Sequence, residues 1–176
     1  YRELASSNLT DEIPMSIGGL SEITQLLISD NMFTGELPAS IVSLFSLTII
    51  DLGDNQLSGE VPSNIGLLNS LQFLRLNGNQ LNGTVPISLG EILGLEYLYL
   101  SSNQLSGSVP SSLLNLSSLL VVELQDNQLV GPVPELPASL TFCNVSSNNE
   151  LCATYRMSNL CNVGLETCFI ELTEAL

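Results

Sequence analysis

A single period governs this chain. Asn31, Asn55, Asn79, Asn103 and Asn127 stand 24 residues apart. Gly35, Gly59, Gly83, Gly107 and Gly131 keep that step, and so do Pro14, Pro38, Pro62, Pro86, Pro110 and Pro134. Self-similarity at a fixed spacing of this length marks a solenoid, in which each repeat is one coil that touches only its neighbours. The clearest unit is Leu71 to Pro86, LQFLRLNGNQLNGTVP, which gives the template L-x-x-L-x-L-x-x-N-x-L-x-G-x-[IVL]-P. Its Leu74-Arg75-Leu76 core alternates in and out, and this predicts a strand with one buried face.

The inward leucines of one coil cannot be covered within that coil. Stacked in register, at about 4.8 Å per step, they form a continuous core. The asparagine column has a structural task there. Where the chain turns inward after the strand, backbone groups lose their sheet partners, and a buried amide satisfies donors and acceptors together. Glycine then permits a tight bend, and proline fixes the chain where no donor is needed. Segments such as Pro38-Ala39-Ser40-Ile41 and Pro62-Ser63-Asn64-Ile65 suit short helical or 3₁₀ turns on the outer side, opened by Ser or Asn. The predicted class is an α/β repeat solenoid: a parallel β-sheet on a concave face, and short 3₁₀/helical turns on the convex one.

The ends depart from the template. In residues 1–23, Leu4, Leu9, Ile13 and Pro14 fit it, but Ser7 takes the asparagine position and Asp11 the glycine position. In the last unit Leu140, Cys143, Val145 and Asn148 fit, yet Asn127 to Asn148 is only 21 residues. Pro132, Pro134 and Pro137 argue that its outer side is extended. Residues 1–151 therefore read as about seven units, the first and last irregular, and 152–176 as a C-terminal cap. Tyr1 falls in mid-repeat with no leader before it, so the chain reads as a mature or trimmed fragment with an uncapped first strand.

Cys143, Cys152, Cys161 and Cys168 all lie near the end of the chain. They allow three pairings. Their position argues for a disulfide staple on the last coil, with Cys143–Cys152 and Cys161–Cys168 the favoured set. On one straight helix the second pair would be about 10 Å apart, too far for a bond, so either residues 162–167 form a loop or the pairing differs. Zinc has little support without any His or a C-x-x-C pair. No metal or cofactor is expected.

Over residues 2–151 these motifs resemble the plant-type, 24-residue class of the extracellular leucine-rich repeat family. That class occurs in plant receptor ectodomains, secreted inhibitors and similar fungal and protist surface proteins. The resemblance implies a leucine-rich repeat arc at the cell surface or outside it, serving recognition; it leaves the ligand open. N-x-[ST] sequons at Asn8, Asn82, Asn115 and Asn144 agree with a secretory route, as do the clustered cysteines. At least two of the four sequons, but not all, are expected to carry glycans.

Charge narrows the partners. Eighteen acidic residues face three arginines, for a net −15. Phosphate recognition needs clustered cations, so nucleic acid is excluded and anionic membrane surfaces are disfavoured. Solubility is the plain reading of this charge, and attraction of a cationic partner or divalent ions the sharper one. No run of 18 apolar residues exists, so direct membrane insertion of this segment is not expected. Without His or Lys, acid–base and nucleophilic chemistry would rest on Ser, Tyr and carboxylates alone. An enzyme is the least supported class, and no catalytic residue is assigned.

Ligand residues are read by their offset from the ladder asparagine. Six residues before it, or before Ser7 in the first unit, stand Tyr1, Gln25, Ile49, Phe73, Tyr97, Val121 and Phe142; four before it stand Glu3, Leu27, Asp51, Arg75, Tyr99, Glu123 and Asn144; two before it stand Ala5, Ser29, Gly53, Asn77, Ser101, Gln125 and Ser146. Ile49, Asp51, Phe73, Arg75, Tyr97, Tyr99, Val121 and Glu123 form the candidate site, an apolar patch with Tyr and Arg anchors and acidic flanks. The plainer account is that aromatic and β-branched residues simply suit strands and cover one another. Gln56, Gln80, Gln104 and Gln128 form a further row that could bond sugar hydroxyls or another copy of the protein, but repeat duplication explains it equally well. A glycan on Asn144 would block the end of this face, so either that end is unused or Asn144 is unmodified. The leading expectation is a recognition module for a protein, peptide or glycan. The alternative is a structural surface protein that self-associates through the uncapped N-terminal edge.

Overall fold

The computed structural model describes residues 4–152 and 161–162. Within them the 24-residue period becomes a stack of parallel strands. These are β1 (Gln25–Leu27), β2 (Ile49–Asp51), β3 (Phe73–Arg75), β4 (Tyr97–Tyr99), β6 (Val121–Glu123), β8 (Phe142–Asn144) and β10 (Cys161–Asn162), adjacent in that order. Ile49 pairs with Phe73, Phe73 with Tyr97, Tyr97 with Val121 and Val121 with Phe142, so the columns read from sequence are true neighbours. The middle residue of each strand, Leu26 to Cys143, points inward and is buried. Leu52, Leu76, Leu100 and Leu124, one step past the pairing, are at most 1% exposed. Burial of a leucine of this kind contributes roughly 1.5–3 kcal/mol.

Strands end after three residues because the chain then reverses. The residue before each ladder asparagine takes a left-handed backbone, with φ of 54° at Asp30, 55° at Asp54, 64° at Gly78 and 56° at Asp126. Asp, Ser and Gly are the residues that tolerate this. The turn brings the asparagine inside, where it does what the buried-amide argument requires. Asn79 Nδ2 donates to the carbonyls of Leu76, of Asn77 and of Leu52 in the preceding coil, at 3.0–3.1 Å. Its Oδ1 accepts from the Leu57 amide, also in the preceding coil, at 2.9 Å. Asn31, Asn55, Asn103, Asn127 and Asn148 repeat this double link. Each asparagine therefore joins two coils.

One layer is not foreseen from the sequence. A second parallel sheet runs beside the first, made of β5 (Ser106–Gly107), β7 (Asn127–Pro132) and β9 (Asn148–Cys152). Single bridges continue it through Glu12–Thr34, Glu36–Ser58, Glu60–Asn82 and Thr84–Ser106. The template glycines sit within this column. At Gly83 φ is 73°, and a Cβ there would lie 2.7 Å from Cγ of Glu60 on the previous coil.

On the outer side lie five turns, η1 (Met15–Gly19), η2 (Ala39–Ser43), η3 (Ile65–Leu67), η4 (Ile87–Glu91) and η5 (Ser111–Asn115). All are 3₁₀, and prolines precede four of them. No side-chain cap bond closes any of these turns, although Asn64 holds the N-cap position of η3. Ser40 and Ser112 instead donate to the Met15 and Ile87 carbonyls of the coil before, each at 2.6 Å. The serines thus tie coils together rather than starting helices. The proline-rich connection between β7 and β8 has no 3₁₀ turn, in keeping with an extended outer side.

At the first coil Leu4 and Ser6 donate to the carbonyls of Leu27 and Ser29, so this degenerate unit still lies along β1. It leaves an apolar cleft of about 280 Å³ lined by residues including Leu4, Ile13, Ile17, Leu20, Ile23 and Phe33. At the other end Cys161 stands opposite Cys143 in the β8–β10 pairing. Cys143 and Cys152 are both disulfide-bonded. Cys168 and most of the predicted cap lie outside the described residues, and the pairing with them. No helix among the described residues is long and apolar enough to cross a membrane.

Candidate functional site

Because inward positions alternate with outward ones, the strands present two side-chain columns to solvent, and a third column follows them. Phe73, Tyr97 and Val121 lie side by side on adjacent strands, half-buried. The Phe73 ring centroid is 5.8 Å from that of Tyr97 and 5.5 Å from that of Tyr99. Tilted rings at this spacing attract one another beyond simple area burial. Ile49 extends the platform on one side and Phe142, 44% exposed, on the other. The sequence-predicted apolar patch is thus one continuous surface, with each residue partly covered by its neighbours.

The polar column divides in two. Arg75 Nε donates to Asn77 Oδ1 at 2.8 Å, and its terminal nitrogens reach Asp51 at 3.5 Å and Asp54 at 2.5 Å. Gly53 opens the space for this group, since a Cβ there would sit 2.8 Å from Arg75 Nε. Asp51 and Arg75, both read as ligand contacts, therefore already engage one another. A partly exposed network of this kind contributes about 1 kcal/mol or less. One strand further on, Tyr99 pairs across the sheet with Glu123. Burial, with the Glu123 carboxylate adding to it, raises the Tyr99 phenol above its ordinary pKa; Tyr97 adds a smaller push and Arg75 opposes them. Gln125 Nε2 donates to Glu123 Oε2 at 3.2 Å. Among the described residues, Gln125 Oε1 is the one buried side-chain polar atom without a hydrogen-bond partner.

Sequence columns contained Phe142, Asn77 and Gln125, but the candidate site omitted them. Arithmetic along the columns was sufficient for the first. For the other two, the signal lies in how side chains of the second and third columns meet. Of the sequon asparagines, Asn8, Asn82 and Asn115 are exposed, Asn82 on the second sheet and Asn115 at the end of η5. Asn144 is half-buried, and its Oδ1 accepts from the amide and hydroxyl of Ser146, the sequon's own serine, at 3.1 and 2.8 Å. Among the described residues no group of three or more His, Cys, Asp and Glu could hold a metal ion.

The Leucine Rich Repeat family model matches residues 46–68, 70–92 and 94–116. No curated protein sequence matches the chain. Among solved structures, the leucine-rich repeat ectodomain of the plant membrane receptor kinase GASSHO1/SCHENGEN3 from Arabidopsis thaliana, in complex with CASPARIAN STRIP INTEGRITY FACTOR 2, superposes with a TM-score of 0.79. Identity is 33%, over 82% of this chain and 18% of that one. The Arabidopsis receptor kinase HAESA, in complex with the peptide hormone IDA and the co-receptor SERK1, gives 0.74 at 37% identity, over 86% and 25%. A chain of the Arabidopsis thaliana BIR3–SERK2 complex gives 0.63 at 38% identity, over 77% and 68%. The chain thus spans only about a fifth to a quarter of the first two.

Proposed function

The chain belongs to the leucine-rich repeat family, in the type found in plant receptor ectodomains, and we propose that it is an extracellular recognition module. Its concave strand face binds a protein, peptide or glycan, and the chain works as part of a larger receptor-like or secreted protein. The observation that carries this reading is the aromatic platform of Phe73, Tyr97 and Tyr99 on the outward side of the sheet. Nothing in the stacking of coils requires rings there, since Gln25, Ile49 and Val121 fill the same column elsewhere. Half-exposed clustered rings have the character of binding anchors. That GASSHO1/SCHENGEN3 and HAESA are each in complex with a peptide or protein factor supports the same reading. The chain carries no catalytic role.

The test is capture from native extracellular fluid on immobilised protein. A component retained by the wild type and lost by the folded Tyr97→Ala/Tyr99→Ala variant marks the face as the site. Equal retention by both removes the concave face from consideration. A second reading draws on the apolar cleft at the first coil, whose lining suits another copy of the chain. Sedimentation over a range of concentrations separates it: growing assemblies favour stacking, and a persistent monomer excludes it.

A further inference from the structure

The two halves of the polar column differ in how their charge is met. Arg75 sits between Asp51 and Asp54, so those carboxylates have a counterion within the protein. Among the described residues Arg75 is also the one cationic side chain, and it lies on the far side of Tyr99 from Glu123. Among the described residues Glu123 therefore has no cationic partner, and Asp126 stands exposed just beyond it. Beside Glu123 lies the unpartnered Gln125 Oε1. The bond from Gln125 Nε2 to Glu123 fixes the amide's orientation, because the reversed amide would set an oxygen against a carboxylate. That oxygen is shut away from solvent, and the carboxylate of half-buried Glu123 is the polar group left to meet a ligand. The Tyr97 and Tyr99 rings complete the surroundings with faces that attract cations.

We infer that the concave face takes a polypeptide segment carrying a Lys or Arg beside an apolar residue. The cation is met by Glu123 and the Tyr99 ring, and the apolar residue lies on Phe73, Tyr97 and Val121. This inference rests on the concave-face reading above and adds the chemistry of the ligand. A neutral or acidic glycan brings no positive charge to Glu123, so a basic peptide fits better. The net charge of −15 adds a long-range field that draws basic partners.

The probe is a random-peptide display library panned on the intact protein, with retention also measured on three variants. The expected pool is enriched in Lys or Arg next to an apolar residue. Glu123→Gln then lowers retention about tenfold or more, as loss of a charge-assisted contact requires. Glu60→Gln, which removes the same charge from the second sheet, leaves retention within about twofold. Peptides lost on Tyr97→Ala/Tyr99→Ala, yet lacking cations and indifferent to Glu123→Gln, overturn the inference and leave the concave-face reading standing. Peptides indifferent to the tyrosine changes overturn both. An equal loss with Glu60→Gln also overturns the inference, by assigning the effect to overall charge. So does a library that yields no enriched pool.

Discussion

The inward asparagine column and the outward columns beside it follow the same chain with the same period, but obey opposite rules. Inside, six asparagines from Asn31 to Asn148 make nearly identical bonds, each reaching back one coil. Outside, the same strands carry Gln25, Ile49, Phe73, Tyr97, Val121 and Phe142, one after another without repetition. The inner column repeats because every coil meets the same unsatisfied carbonyls and amides. The outer column is free to vary because solvent, or a ligand, meets it instead. Sequence repetition thus separates positions that hold the stack from positions available for recognition.

If that division is correct, Asn79→Ala is the most damaging of four changes. It leaves the Leu57 amide without an acceptor and takes one of two donors from the Leu52, Leu76 and Asn77 carbonyls, which Asn55, Asn103 and the Asp54 amide still reach. Unfolding by urea should show a loss of about 3 kcal/mol or more. A loss below about 1 kcal/mol would mean that water replaces the amide and that the inner column is not the fastening. Next comes Gly66→Ala on the outer turns, where the new methyl would fall on the Ser88 carbonyl oxygen of the following coil. Overpacking against backbone should cost about 2 kcal/mol by the same measurement.

Tyr97→Ala sharpens the contrast from the other side. It removes one ring contact with Phe73, and stability should fall by only about 1 kcal/mol. Ligand capture should be lost, since anchor residues of this type carry most of an interface's energy. A large fall in melting temperature would instead make the platform part of the core. The smallest effect is expected for Arg75→Ala. Thermal unfolding should shift by less than about 1 kcal/mol, and the difference should vanish near 1 M salt. A difference that survives salt would show the Arg75–Asp51–Asp54–Asn77 group to be a packed structural unit rather than a surface network.

Much of this organisation was legible in the sequence. The step between Asn31 and Asn127 gave the stacking, and counting back from each asparagine gave the outward columns in correct register. The second sheet was not legible. Most of its contacts are single bridges such as Glu36–Ser58 or short pairs such as Ser106–Gly107 with Gln128–Leu129, too brief to show in–out alternation, and its one longer pairing, β7 with β9, shifts register within the irregular last units. The serines after the prolines misled for a related reason. Ser40 falls inside its own turn, after the N-cap residue Pro38, and its hydroxyl donates to a carbonyl of the preceding coil. Arg75 was placed on the right face, while its use there depends on Asp54, which reaches it from a different offset in the coil before. Local pattern predicts what a residue faces, and contacts between coils decide what it binds.

The backward reach of the asparagines gives the stack a direction. The Leu52 carbonyl and the Leu57 amide belong to one coil, yet they are completed only when Asn79 of the next is in place. A chain emerging from the ribosome therefore carries an unfinished edge that moves forward with synthesis, each new turn sealing the one already made. Cutting the protein between coils is accordingly unequal on its two sides: the upstream piece keeps open amides and carbonyls, whereas the downstream piece keeps asparagines still bonded to their own strands.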